Sequence, residues 1–238
     1  MAQFSEGERF PMPRVAAGVP SMRAWSMVVL RWLLMIGVPV ALAVVTLPRP
    51  TGGAYQDVYR GVGPVAGGYL LGYLLQLPLS GLLFVAALNL TRGLTGFWAW
   101  LSRIALWAWV LAWTADDAVI GLSVGAILRH QTPDMNVHTV AAIVQRLYDD
   151  PLVGGVGSVI GWASSYAWGL AMLFTVVALF LANRKRAWWQ LLVPSLLLLA
   201  SFAQSADFPP YATIAMACFA AASLWFELFR FGPAAPVS

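Results

Sequence analysis

Charged side chains are scarce in this sequence. Only 10% of the 238 residues are Asp, Glu, Lys or Arg, and 60% are hydrophobic; a soluble domain carries about 25% charged residues. The deficit runs along the whole chain and excludes an ordinary soluble globule. Cysteine is almost missing: Cys218 stands alone in an apolar segment, which excludes internal disulfides, thiolate metal sites and iron–sulfur clusters. Histidine occurs twice, as His130 and His138 in one polar stretch, whereas haem held between membrane helices needs embedded axial ligands. The single lysine, Lys185, lies in a short polar link, so no buried lysine offers a Schiff base. Walker, zincin and Gly-x-Ser-x-Gly motifs are also missing. No fixed-period repeat is visible, and the two halves do not match as an inverted repeat would.

What remains is apolar length. A membrane span needs about 20 apolar residues, and six segments meet or approach that: 25–47, 65–90, 97–128, 153–182, 188–206 and 211–229. The expected fold is all-α, a polytopic bundle of six transmembrane helices over residues 25–230. A polar cytoplasmic segment, 1–24, precedes it, and a disordered cytoplasmic tail, 231–238, follows. The first span is expected to stay in the mature protein, because its lead carries Glu6 and Glu8 and its apolar run is too long for a signal peptide.

Loop charge sets the expected orientation. With the N-terminus inside, ten basic residues fall on the cytoplasmic side, including Arg31, Arg103 and the Arg184–Lys185–Arg186 link. Four fall outside: Arg49, Arg60, Arg129 and Arg146. That bias places both termini in the cytoplasm. It also accounts for the net charge of +4 without nucleic acid as a partner. Arginine outnumbers lysine thirteen to one, which points to a GC-rich bacterium and its inner membrane. Trp25, Trp98, Trp100, Trp188, Trp189, Tyr148 and Tyr211 mark the membrane interfaces.

The outer loop before the fourth span is the longest. In it Val137, Val140, Ala141, Val144, Leu147 and Tyr148 share a helical face, which predicts a short amphipathic helix on the outer surface, with Asp134 as its N-cap.

Small residues mark close helix contacts in lipid. The fourth span has Gly157, Gly161, Ser165 and Gly169 at four-residue spacing, and the second has Gly68, Gly72 and Ser80 with Gln76 between. These two stripes are expected to pack against each other. The third span carries Trp98, Trp100, Trp107, Trp109 and Trp113; such a helix either faces lipid, fills space beside glycines or lines a pigment, quinone or lipid site.

The chemistry-bearing pair is Asp116–Asp117, in the apolar run from Trp109 to Leu122. One Asp at a helix centre costs about 2.5–3.5 kcal/mol on insertion scales. Neighbours on a helix point about 100° apart, so one is expected to face the bundle interior, and no Lys or Arg lies at matching depth inside another span. The pair is then protonated, ion-bound or hydrated, or else placed at the outer interface; the choice turns on whether the span starts at Phe97 or after Arg103. Depth matching gathers Thr114, Ser164, Ser165, Tyr166, Gln204 and Asp207 around it as a candidate outward-facing polar site. His130, Asp134 and His138 are four apart and form a weak candidate metal set, against which stands Pro133, a breaker of the helix they would need. Solvated loop histidines are the plain reading. Glu227 and Arg230 read as a helix-end ion pair.

Three stretches carry a resemblance: Ala86-Ala-Leu-Asn-Leu-Thr-Arg92 leaving the second span, Gly161-Trp-Ala-Ser-Ser-Tyr-Ala-Trp-Gly-Leu170 in the fourth, and Ala222-Ser-Leu-Trp-Phe-Glu-Leu-Phe-Arg230 at the end. With the six-span layout, the chain resembles a bacterial membrane family catalogued only as a domain of unknown function. The resemblance implies the topology and no activity.

Three functional expectations follow. The leading one is a non-catalytic subunit or scaffold of a membrane assembly, partnered by other subunits or by further copies of itself. The second is a protein translocating a small solute, proton or cation through Asp116 or Asp117. The third is a membrane enzyme or a lipid- or pigment-binding protein with an outward pocket. No catalytic residue and no cofactor are predicted; membrane lipid is the expected bound partner.

Overall fold

The computed structural model describes residues 22–50, 52–132, 134–155, 157–184, 188–206 and 210–228. The N-terminal segment to residue 21, Lys185, Arg186, Asp207, Arg230 and the tail lie outside them.

All regular structure among the described residues is helical. The first long helix comprises α1 (Met22–Trp32), a π-helical turn (Leu33–Gly37) and α2 (Val38–Thr46). Pro39 has no N–H to donate back to Met35, and the widened turn lies just ahead of it. The second runs from α3 (Val58–Val62) through a 3-10 turn at Gly63–Val65 into α4 (Ala66–Leu90). The third is α5 (Phe97–Asp116), a π segment (Asp117–Ser123) and α6 (Val124–Arg129). A short α7 (Val137–Tyr148), α8 (Val159–Ala182), α9 (Trp188–Ala200) with a 3-10 extension to Ala206, and α10 (Tyr211–Leu228) complete the chain.

Five helical stretches are long and apolar enough to cross a membrane: Val28–Thr46, Val58–Leu90, Phe97–Arg129, Val159–Ala182 and Tyr211–Leu228. The sixth expected segment is a shorter apolar helix, Trp188–Ala203. Two stretches depart from expectation. The second starts at Val58, because Asp57 caps it by accepting the Arg60 amide. The fourth starts at Val159, because Ser158 caps it. The residues before Ser158 fold into a turn instead, with Asp150 accepting the Leu152 and Val153 amides.

Two apolar cores result. The larger draws on every long helix and centres on Leu106, Trp109, Trp168, Met172, Leu198 and Phe219. Its spine is the antiparallel seam of α5 and α8. Ser102 meets Thr175 at 2.7 Å, the rings of Trp109 and Trp168 lie 4.6 Å apart, and Asp116 abuts Gly161. These contacts advance seven residues at a time in opposite directions, the repeat of helices crossing at a shallow angle. The smaller core joins α3, the start of α4, the π segment, α6 and α7 through Val58, Val62, Tyr69, Tyr73, Val124, Val140 and Val144. Tyr55 stacks on Tyr148 at 5.1 Å, and the Val58 amide donates to Gln145 Oε1 at 3.0 Å. This core is built from the extra length of the second and third helices. Each has 33 residues, about 50 Å at 1.5 Å per residue, against a hydrocarbon thickness of about 30 Å.

The glycine stripes do not pack on each other. The second helix lies on α2, α5 and the π segment, while α8 lies on α5, α9 and the 3-10 turn after α9. Gly68 faces open space and Gly72 approaches Val45. Gly157 is open, Gly161 lies beside Ser158 and Asp116, and Gly169 receives the Phe202 ring. The third helix closes on the second at Gly121 and Gly125, which lie in neither stripe. A methyl group on Gly121 would stand 2.1 Å from the Tyr73 ring, and one on Gly125 would stand 3.1 Å from Leu70.

Candidate functional site

The π segment begins at the second aspartate. A π turn leaves carbonyls without their α-helical partners, and such turns cluster at functional sites. Here Tyr69 donates its hydroxyl to the Ile120 carbonyl at 2.9 Å, and Ser123 donates to Ala118, five residues back, at 2.9 Å. Because residue 121 is glycine, Tyr73 lies directly on this segment.

Both aspartates are buried, Asp116 at 9% and Asp117 at 1% exposure. The expectation that one alone turns inward is corrected: the angular offset sends the two into different seams. Asp116 faces α8 beside Gly161. Asp117 faces α4, where Gln76 Nε2 donates to both of its carboxylate oxygens at 3.0 Å. Gln76 Oε1 in turn accepts from Arg49 Nη2, and the Arg49 guanidinium lies 4.0 Å from the centre of the Tyr73 ring. Arg49 is 7% exposed and Gln76 1%.

A cation therefore does reach the pair: Arg49 bonds Gln76, and Gln76 bonds Asp117. Arg49 was passed over because it follows the first span and counts as an outer-loop charge. Its guanidinium is buried against an aromatic face, which favours arginine over lysine there. The helix starts at Phe97, so Asp116 ends one bilayer's length of it, about 30 Å. The chain then continues as helix into the smaller core. Arg103 folds back and donates to the Thr91 and Leu94 carbonyls, both at 2.9 Å.

The rest of the expected cluster divides. Ser164 and Ser165 are buried on α8, and both donate to the Gly161 carbonyl, at 2.8 and 2.9 Å. They stand one turn from Asp116. Thr114 is exposed and donates back to Val110 at 2.6 Å, and Tyr166 is 56% exposed; neither joins the site. The Gln204 side chain and Asp207 lie outside the described residues. Among the described residues no cluster of His, Cys, Asp or Glu is arranged to hold a metal. The helix that would align His130, Asp134 and His138 is interrupted, because α6 ends at Arg129 and α7 begins at Val137. Its N-cap is Asn136, not Asp134: Asn136 accepts the His138 and Thr139 amides at 2.9 and 3.3 Å. Glu227 pairs with Arg31 at 2.7 Å across to the first helix, while Arg230 is not among the described residues.

The tryptophans of α5 split by face. Trp109 and Trp113 are buried, whereas Trp100 and Trp107 are more than half exposed. Trp168, which no sequence pattern marks, packs its ring tilted against Trp109 and donates its indole N–H to Ser201 at 3.1 Å.

Compared with known proteins, the chain matches no protein family, no curated protein and no solved structure.

Proposed function

We propose that this chain is an integral membrane protein that takes up and releases a proton or a small monovalent cation at Asp116, with Asp117 held ionised by Gln76 and Arg49. One observation carries the reading. The buried charged side chains among the described residues are two carboxylates and one guanidinium. In a low-dielectric interior an excess negative charge is costly, and a proton or cation relieves it. Both oxygens of Asp117 accept from Gln76, which also bonds Arg49. Asp116 lies beside the start of α8, whose first amides bond to Pro151, Leu152 and Ser158, within reach of the positive end of that helix dipole.

The proposal includes six crossings. The helix α9 and its 3-10 extension have 13 and 6 residues; at about 1.5 and 2.0 Å per residue they span roughly 30 Å, enough for the hydrocarbon layer. Both termini are then cytoplasmic, α7 lies over the outer mouth, and the membrane is a bacterial inner membrane, as the arginine distribution favours.

The test is flux in proteoliposomes with a trapped pH dye under an imposed proton or sodium gradient. Wild type and Thr114→Ala are expected to dissipate the gradient, and Asp116→Asn to slow dissipation at least tenfold. An inert wild-type protein removes the reading. A second reading, the non-catalytic subunit, is favoured by the first span, of which 22% is buried against 39–44% for the other four. That leaves most of one helix free for a partner, and copurification in mild detergent tests it.

A further inference from the structure

The α5–α8 seam contains two indole N–H groups without an acceptor among the described residues, those of Trp109 and Trp113. Both rings are nine-tenths buried or more, at 0% and 6% exposure. A buried donor left unbonded is costly, and the same seam shows what a bonded one looks like: Trp168, 1% exposed, donates to the Ser201 carbonyl and hydroxyl. Trp109, Trp113 and Asp116 stand four and three residues apart and so share one face of α5. The register of the seam sets what opposes them. Thr175, Trp168 and Gly161 of α8 meet Ser102, Trp109 and Asp116 of α5, and the same register puts Ser164 opposite Trp113.

We infer that this face holds internal water, bound between Trp113, Ser164 and Asp116 and continuing to Trp109. The chemistry around Trp113 fits water better than a larger ligand. A buried water makes about three hydrogen bonds. The Trp113 N–H donates to it, and the Asp116 carboxylate, with about four lone-pair sites, accepts from it. The Ser164 hydroxyl, whose proton goes to Gly161, keeps lone pairs for a second water proton. No direct bond joins the Trp113 indole to these groups, the situation in which a bridging water completes the contacts. From Asp116 to Trp109 is about 10 Å along the helix, so the hydrated face carries polarity from the carboxylate pair toward the middle of the bilayer. A role for this water in delivering protons to Asp116 rests on the function proposed above; its presence does not.

The experiment uses the full chain in lipid nanodiscs with nitrogen-15 in the tryptophan indoles, the signals assigned with Trp109→Phe, Trp113→Phe and Trp168→Phe. The Trp113 and Trp109 N–H protons are expected to show magnetisation transfer from water and to exchange with deuterium at least tenfold faster than that of Trp168. If Trp113 shows no water contact and exchanges as slowly as Trp168, the face is dry and the inference is overturned. Cross-peaks to lipid or to a copurified molecule in place of water overturn it too. Water contact without flux removes only the proton or cation reading; flux with a dry face removes only this inference.

Discussion

The third long helix is packed on different terms before and after its two aspartates. Up to Asp116 it runs against α8 in a seam of tryptophan, alanine and serine, where Ser102 and Thr175 bond hydroxyl to hydroxyl and Trp109 lies on Trp168. From Asp117 onward it runs against α4, where contacts are polar or need the absence of a side chain: Gln76 on Asp117, Tyr69 on a free carbonyl, Tyr73 on Gly121. The first seam combines close ring packing with a hydroxyl bond between small side chains. The second is held by groups that must find their partners, because each is buried and polar. Adjacent carboxylates sit where one set of terms gives way to the other, so a single step along the helix puts two identical side chains into different surroundings.

The contrast breaks most sharply at Gln76. Replacing it by leucine leaves Arg49 and Asp117 buried without the amide between them, and removing one partner of a buried charge network costs about 3–5 kcal/mol. Chemical unfolding of Gln76→Leu in detergent is expected to show that loss, and the triple change Arg49→Leu, Gln76→Leu, Asp117→Leu to recover most of it. A triple variant weaker than the single would mean that charge strengthens this seam rather than burdening it. Gly121→Ala comes next. The methyl group has nowhere to go unless Tyr73 moves, and Tyr73 carries Arg49 on its ring; overpacking of this kind costs about 1–3 kcal/mol. Faster amide exchange confined to α3, α6 and α7 would place the damage in the smaller core, whereas loosening of the α5–α8 seam would argue that the two cores are one.

On the other side, Trp168→Phe keeps an aromatic ring but removes the hydrogen bond to Ser201 and part of the buried indole volume, with an expected loss of about 1–2 kcal/mol. A loss as large as that of Gln76→Leu would erase the distinction between the seams. The smallest effect is at Asp150. The Val153 and Leu152 amides donate to its carboxylate and hold it below the usual carboxylate range. Because its folded value is depressed, its contribution to the turn is present above the unfolded value of about 3.9 and is lost as pH falls through the folded one. Amide exchange at Leu152 and Val153 should rise below about pH 4 while that of α5 and α8 stays flat.

Read from the residues alone, Asp116 and Asp117 are conspicuous because the penalty for charge in an apolar run is a property of the run. Helix existence was legible for the same reason, because apolar length is local; the caps at Asp57 and Ser158, which set where two helices start, emerged only with the structure. The span of α8 began later than its apolar run because the cap at Ser158 and the turn at Asp150 outweigh hydropathy there. Gly121 and Gly125 obey the four-residue rule applied to α4 and α8, but two small residues in a helix rich in tryptophan gave no stripe to notice.

The sequence by itself determined an all-helical apolar chain and the place along it where charge is concentrated, since both depend on local composition. The tertiary structure decided what the charges meet. Arg49, Gln76 and Asp117 are separated by 27 and 41 residues, and no periodicity within a helix specifies such a meeting. It depends on helices longer than a hydrocarbon layer is thick, on a glycine that lets Tyr73 lie against the π segment, and on an arginine just past the end of the first long helix turning inward. Long-range packing sets all three, and only the folded chain brings them together.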